Sequence, residues 1–368
     1  MKIWELDTPA LLIDRDILLR NLRRMQEFAD ARHVGLRPHT KTHKMPYIAE
    51  LQRRLGAIGI AVAKVGEAEV MAENGLDEIL IANEIVGREK LQRIAELTDR
   101  CHVVFGVDST VNIQEAEAVF SAVKKRADVA VEIEVGENRS GIIRESAFRE
   151  LLQEIKRSPH VNYRGVFGHD GNCYRAQDQE ACRAISRGAQ ERLLRFASIA
   201  GEEGFERGMV SYGSTPALLC GSDILDGITD LRVGTYALMD ASQAHVLGTY
   251  EHCAAYVLAT VMSLPTRERV ILDVGAKGLT MQERQEGICA SEGKGRILED
   301  TSVRIEAVFD EHAIIHNEAF GRTVKIGDKV RIIPAHICPV CNLYDTAYLC
   351  SGTDVVGEIP VLCRGKLQ

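Results

Sequence analysis

Val34-Gly35-Leu36-Arg37 followed by Pro38-His39-Thr40-Lys41-Thr42-His43-Lys44 reads as a short apolar strand that runs straight into a dense polar end. The same form recurs to about residue 240: a brief β-rich run, then polar or small residues, then a longer segment whose apolar residues fall at helical spacing. Further strands are expected near residues 58–63, 78–82, 102–106, 129–135, 164–168, 209–211 and 230–233. The helix upstream shows the logic. Leu18, Leu22, Met25 and Ala29 share one stripe, while Arg20, Arg23, Arg24 and Glu27 face elsewhere. Eight strands with intervening helices in about 220 residues predict an α/β fold of the (β/α)8 TIM-barrel type rather than an open sheet.

Beyond Gly248 the pattern changes. AAYVLATVMSL, RVILDVG, VRIEAVF, HAIIH, KVRIIP, TAYLC and DVVGEIPVL read as short strands separated by Gly, Asp, Asn and Pro. This predicts a C-terminal, mainly-β domain that the extended N-terminal segment joins, so that residues 14–248 form the barrel and residues 1–13 plus 249–368 the second domain. The length of 368 residues suits two domains. A balance of 45 Lys and Arg against 53 Asp and Glu gives a net charge of −8, which offers no electrostatic footprint for nucleic acid or anionic lipid. Ten cysteines spread thinly along the chain point to reduced thiols in the cytoplasm rather than a disulfide framework. The opening MKIWELDTPALLID has acidic residues within its apolar run and reads neither as a signal peptide nor as an anchor. No run approaches the roughly 18 apolar residues of a membrane span.

In a barrel of this type, chemistry belongs at the C-terminal ends of the strands. That rim carries the 37–44 segment, Lys64, Asn83-Glu84, Asp108, Asn138-Arg139, His169-Asp170-Gly171-Asn172, Gly213-Ser214-Thr215 and Gly234-Thr235-Tyr236. The last two turns lie where barrels commonly bind phosphate through exposed N–H groups and hydroxyls, although such turns are also common without a ligand. Within HTKTHK, Lys41 is the best-placed amine nucleophile, since neighbouring cations in a barrel mouth lower a lysine pKa. A solvated basic turn is the plain alternative. A metal site from His39 and His43 would need helical spacing, against which Pro38 and the β-branched threonines argue. In the second domain, the stretch from Pro334 to Asp345, PAHICPVCNLYD, is the other constellation. Read as extended chain it places His336 and Cys338 on one face, an imidazole and a soft thiolate suited to zinc. Cys338 and Cys341 also form a C-x-x-C, which suits a redox pair or half of a four-cysteine site, but no second C-x-x-C is present.

Taken together, LDTPALLID, RPHTKTHK, VGTYALMD, ILDVGAK and PAHICPVCNLYD resemble the D-threonine aldolase and D-serine dehydratase family of pyridoxal-phosphate enzymes. The resemblance runs from about Leu6 to the C-terminus. It implies the alanine-racemase-like architecture (PLP fold type III), a barrel plus a C-terminal β domain, and a homodimer. It further implies that Lys41 binds pyridoxal 5'-phosphate covalently, and that Gly213, Ser214, Thr215, Gly234, Thr235 and Tyr236 hold the phosphate. Arg139, in EVGENRSGI, matches the family arginine near the cofactor ring. His336 and Cys338 match the divalent-metal pair, for zinc or manganese, with magnesium and cobalt as further options. His169, where the family carries a tyrosine, is the second candidate catalytic residue.

The reaction expected from this resemblance is cleavage of a 3-hydroxy-D-amino acid, in D-threonine aldolase fashion, to glycine and an aldehyde. The alternative is dehydration of D-serine or D-threo-3-hydroxyaspartate to a keto acid and ammonia. His-x-Cys is the dehydratase form of the metal pair, where aldolases carry His-x-Asp. Asn342-Leu343-Tyr344-Asp345 looks more like the aldolases. An aldolase histidine expected shortly after Gly171 has no clear counterpart in Asn172-Cys173-Tyr174-Arg175. A racemase, more distant, would need a second base such as Tyr344 or Tyr348. A single-barrel cofactor-binding protein would lack the second domain.

Overall fold

The computed structural model describes residues 1–368. The chain divides into two compact units, one comprising Met1–Arg24, Thr42–Tyr47 and Thr235–Arg364, the other Met25–Lys41, Ile48–Gly234 and Gly365–Gln368.

The second of these units holds eight strands: Gly35–Leu36, Ile60–Val62, Glu78–Glu84, His102–Val107, Ala127–Glu132, Val161–Phe167, Met209–Tyr212 and Asp230–Leu231. We number them one to eight in chain order. Each pairs in parallel with the next from the second to the eighth, and the eighth pairs with the first. The first and second strands meet through Ile58 N–H to the Leu36 carbonyl (2.9 Å), Ala61 N–H to the Pro38 carbonyl (2.8 Å) and a parallel bridge between His39 and Ala61. The ends of the sheet therefore join, and the eight strands curl into the barrel that the alternation predicted. Ala61, Leu80, Val104, Ala130 and Phe167, from five different strands, form its buried cluster. Helices such as Val65–Glu73, Arg88–Leu97, Thr110–Ala122, Glu145–Arg157 and Gln179–Glu202 link the strands. Their amphipathic stripes are core: Leu91, Ile94, Phe148, Leu151, Leu152 and Ile155 are buried. The fifth strand stops at Glu132, earlier than expected, because Ile133 leaves the ladder to bridge Ile142.

The other unit is built on a sheet in the order Arg304–Ile305, Gly295–Ile297, Lys329–Pro334, Ala255–Ser263, Ala10–Asp14, Thr346–Ser351, Asp354–Pro360. Arg269–Leu272, Ala313–His316 and Ala307–Val308 branch from Ala255–Ser263. The N-terminal strand sits centrally, antiparallel to Ala255–Ser263 and parallel to Thr346–Ser351, which is why its four consecutive apolar residues Ala10 to Ile13 are all buried. Gly295–Ile297 is a strand the sequence reading missed, since GKGRI carries a single large apolar side chain. No helix is long and apolar enough to cross a membrane.

Candidate active site

The end of the first strand runs extended to His39 and then makes one 3-10 turn, Thr40–Thr42. Pro38 and the threonines argue against helical chain there, and only the plain alternative is a turn. Backbone pairing with the second strand ends at Ala61, and beyond it the chain coils and presents Lys41. His39 is buried and His43 wholly so, and His43 Nδ1 accepts the Met45 N–H at 3.1 Å.

Around Lys41 the barrel unit collects cations and neutral imidazoles. Removal from water, and then the charge of Lys41 and the guanidinium groups of Arg232 and Arg139, hold His39 and His169 well below the ordinary histidine range. Both are neutral at physiological pH. His169 Nδ1 lies 3.1 Å from the Gly213 carbonyl. A carbonyl only accepts, so Nδ1 carries the proton and Nε2 keeps a lone pair. Arg232, 5% exposed, donates from Nη2 to the Gly168 carbonyl (2.7 Å) and lies over the Phe167 ring. Arg139 is more open; its guanidinium lies 3.4 Å from Glu132 and 3.3 Å from Glu137. Its loop is clamped by Glu134, whose Oε1 accepts the N–H groups of Gly136 (2.7 Å) and Asn138 (2.8 Å).

After the seventh strand, Gly213 has φ +141°, a left-handed backbone in which a Cβ would also press on the Arg232 N–H at 3.2 Å. The glycine aims the chain into Ser214 and Thr215. Both are almost fully buried, and both hydroxyls lack a hydrogen-bond partner within the protein. Unpartnered buried hydroxyls are costly, about 1–3 kcal/mol each. Two in succession at a strand end are donors suited to phosphate oxygens, and on this observation the site fits the phosphate of a pyridoxal cofactor. Gly234 ends the same unit; Thr235 and Tyr236, in a 3-10 turn of the other, are buried. The Thr235 hydroxyl is 3.7 Å from Cys338 Sγ. A double variant, Ser214→Ala with Thr215→Val, is expected to weaken cofactor binding about 10²-fold or more, by losing two hydrogen bonds to a charged group. Without cofactor the same variant should be as stable as the parent, since it loses no internal bond. Equilibrium binding and thermal melts measure both; unchanged cofactor affinity would refute the assignment.

The His-x-Cys stretch is not extended, as had been expected. Ile337–Cys341 is a five-residue helix with His336 as its extended N-cap, so Cys338 sits in the first helical turn. The two side chains nevertheless face one carboxylate: Asp240 feels the charge of both His336 and Cys338. Asp240, fully buried, accepts the N–H of Ile337 (3.1 Å) and of Gln243 (2.9 Å), which fixes the turn. Cys338 Sγ also reaches the Thr42 hydroxyl at 3.4 Å. A structural zinc wants four protein ligands, and they are not here. Two partly exposed donors, one nitrogen and one sulfur, instead fit an ion that keeps positions open for substrate or water. Cys341 is wholly buried and all ten cysteines are free thiols, so nothing pairs the C-x-x-C. Tyr344 is no exposed base: its hydroxyl donates to the Gly278 carbonyl (3.0 Å), and burial pushes its pKa up.

The alanine racemase N-terminal domain family matches residues 13–242, and a putative serine dehydratase domain matches residues 254–350. A D-threonine aldolase of an Arthrobacter species is 33% identical over 92% of this chain and 88% of its own length. The chain belongs to the D-threonine aldolase and D-serine dehydratase family. Within that family, the crystal structure of D-threonine aldolase from Filomicrobium marinum superposes with a TM-score of 0.90 at 30% identity, covering 100% of this chain and 98% of that one. The D-threo-3-hydroxyaspartate dehydratase of a Delftia species is 31% identical over 90% of this chain and 91% of its own. A cysteine-to-alanine mutant of that dehydratase is known in a metal-free form, at a TM-score of 0.90 and 26% identity over 98% of each chain. The alanine-racemase-like fold, barrel plus mainly-β domain, is thus the fold of this family member.

Sequence reasoning missed Arg232, Glu132 and Asp240. Each carries a legible signal in retrospect, a charged residue inside or just after an apolar run: DLRVG, VAVEIEV and YALMD.

Proposed function

We propose that the protein is a lyase dependent on pyridoxal phosphate and a divalent metal, acting on 3-hydroxy-D-amino acids by retro-aldol cleavage to glycine and an aldehyde. The observation that carries this reading is Lys41 at its strand end, among His39, His169, Arg232 and Arg139, in a unit that also presents the unpartnered hydroxyls of Ser214 and Thr215. Bound pyridoxal phosphate supplies an electron sink for a bond breaking at the substrate Cα. Lys41 holds the cofactor, and Gly213, Ser214, Thr215, Gly234, Thr235 and Tyr236 receive its phosphate. Arg139 would stand near the cofactor ring, as the family resemblance implies. A divalent ion on His336 and Cys338 would supply Lewis acidity toward the 3-hydroxyl. The Nε2 lone pair of neutral His169 is suited to take the hydroxyl proton, after which Cα–Cβ breaks. The relationship to the Arthrobacter D-threonine aldolase supports the aldolase reading.

A second reading is favoured by Cys338. A thiolate in the metal pair accompanies the dehydratases, and in that reaction Lys41 takes the Cα proton and the 3-hydroxyl leaves. In either reading residues 14–248 bind the cofactor, and residues 1–13 plus 249–368 carry the metal pair. The family resemblance supports a homodimer. Ten unpaired thiols suit a reducing cytoplasm, and the negative net charge speaks against nucleic acid and membrane surfaces as partners.

The test is product analysis with D-threonine, D-serine and D-threo-3-hydroxyaspartate, with and without added zinc or manganese. Glycine and an aldehyde support the aldolase. A keto acid with ammonia moves the protein to the dehydratases, and the opposite enantiomer alone returns racemase chemistry.

A further inference from the structure

We propose that Glu84 and Glu132 share one proton in the uppermost layer of the barrel interior, and that this shared proton fixes the position of Arg139. The inference rests on the reading of Arg139 as a cofactor-side residue. Side chains alternate along a strand, so residues two apart share a face. Leu80, Val104 and Ala130 lie in the buried barrel cluster. Counting onward in twos, Glu84, Asp108 and Glu132 fall on that same face at the C-terminal ends of the third, fourth and fifth strands. The irregularity in the third strand keeps this parity, because Leu80 pairs with Val104 and Glu84 with Gly106.

Glu132 is 4% exposed and Glu84 Oε1 is buried. Glu84 Oε1 meets no hydrogen-bond donor within the protein, and the Glu132 carboxyl lies close enough to act on it. Two buried carboxylates so placed repel and cannot donate to one another, so one of the pair must carry hydrogen. Burial, then the contact with Glu132, raises the Glu84 carboxyl to about 8. The groups facing the pair are few. Asp108, itself raised by burial, adds negative charge from the end of the fourth strand. Arg139 and Glu137 face it from the loop after the fifth strand, and Arg232 from the end of the eighth.

Glu132 thus has two tasks. One is the shared proton, and the other is the contact from Oε1 to Arg139 Nη2 at 3.4 Å. The backbone of the arginine's loop is already clamped by Glu134, so the guanidinium is what remains to be held. With the proton in place, Glu132 is locked in one orientation and offers one oxygen to Arg139. Without it, two buried like charges repel, Glu132 turns, and the half-exposed guanidinium follows. Glu84 and Glu132 are therefore positioning residues acting through Arg139.

Infrared spectroscopy and rate measurements on the holoenzyme test this. At pH 7 the parent should show a protonated-carboxyl C=O band that is lost by pH 9.5 and is missing from Glu84→Gln. Because the amide donates to Glu132 at every pH, Glu84→Gln should raise the ratio of activity at pH 9 to that at pH 7 by about tenfold, as expected for removing one titration near pH 8. Lack of the band in the parent at pH 7, or an unaltered ratio in an active Glu84→Gln enzyme, overturns the proposal. A protein that shows the band but cleaves no hydroxyamino acid instead overturns the functional reading and leaves the shared proton standing.

Discussion

Lys41→Ala is expected to abolish lyase activity, by at least about 10³-fold, while the protein remains folded. Borohydride reduction of the parent holoenzyme should leave the cofactor fixed to a single peptide, the one containing Lys41. The geometry discriminates among the lysines. Lys44 is buried with Nζ 3.5 Å from the Cys363 carbonyl, where an ammonium is held by the backbone. Lys277 is open to water and paired with Glu311 at 2.7 Å, which favours its charged, non-nucleophilic form. Lys64 is the N-cap of a helix. Lys41, partly buried, stands at its strand end beside His39 and His169, on whose imidazoles its charge acts. A labelled peptide containing Lys44, Lys64 or Lys277, or an alanine variant that still turns over, would remove Lys41 from the mechanism.

The barrel was legible because its strands are apolar, short and followed by polar ends, and parallel strands buried on both faces leave that signature. The first strand shows the limit of such reading. Its polar continuation carries no periodicity, so the 3-10 turn that presents Lys41 is set by where pairing with the second strand stops. The metal stretch failed in a different way. His336, Cys338 and Cys341 look extended in a sequence of Ile, Cys, Pro and Val, yet Asp240, nearly a hundred residues away, accepts the Ile337 N–H and holds a short helix there. A tertiary hydrogen bond overrode local propensity. Glu132 and Arg232 were overlooked because one sits within an apolar strand and the other just past the end of one, where a charge reads as noise until the barrel interior gathers it with its partners.

His336→Ala should cost lyase activity about 10²–10³-fold while the cofactor stays bound, as follows if an ion on the metal pair would polarise the substrate and the phosphate turn would hold the cofactor. Strong chelator should reproduce the loss in the parent and have no further effect on the variant. Cys338→Asp should move the preference from zinc toward manganese, because a hard carboxylate oxygen replaces a soft thiolate. The observed helix sharpens this expectation. Cys338 is in the first turn beside Thr42 and Thr235, whereas Cys341, one turn on, is sealed in the core. A Cys341 substitution should therefore act on stability, by creating a polar group without access to water, and not on metal preference. Melting temperature and metal titration separate the two cysteines. If His336→Ala kept full activity in strong chelator, the His-x-Cys pair would have no catalytic ion to hold, and the hydroxyl proton would have to be managed by His169 and Lys41 alone.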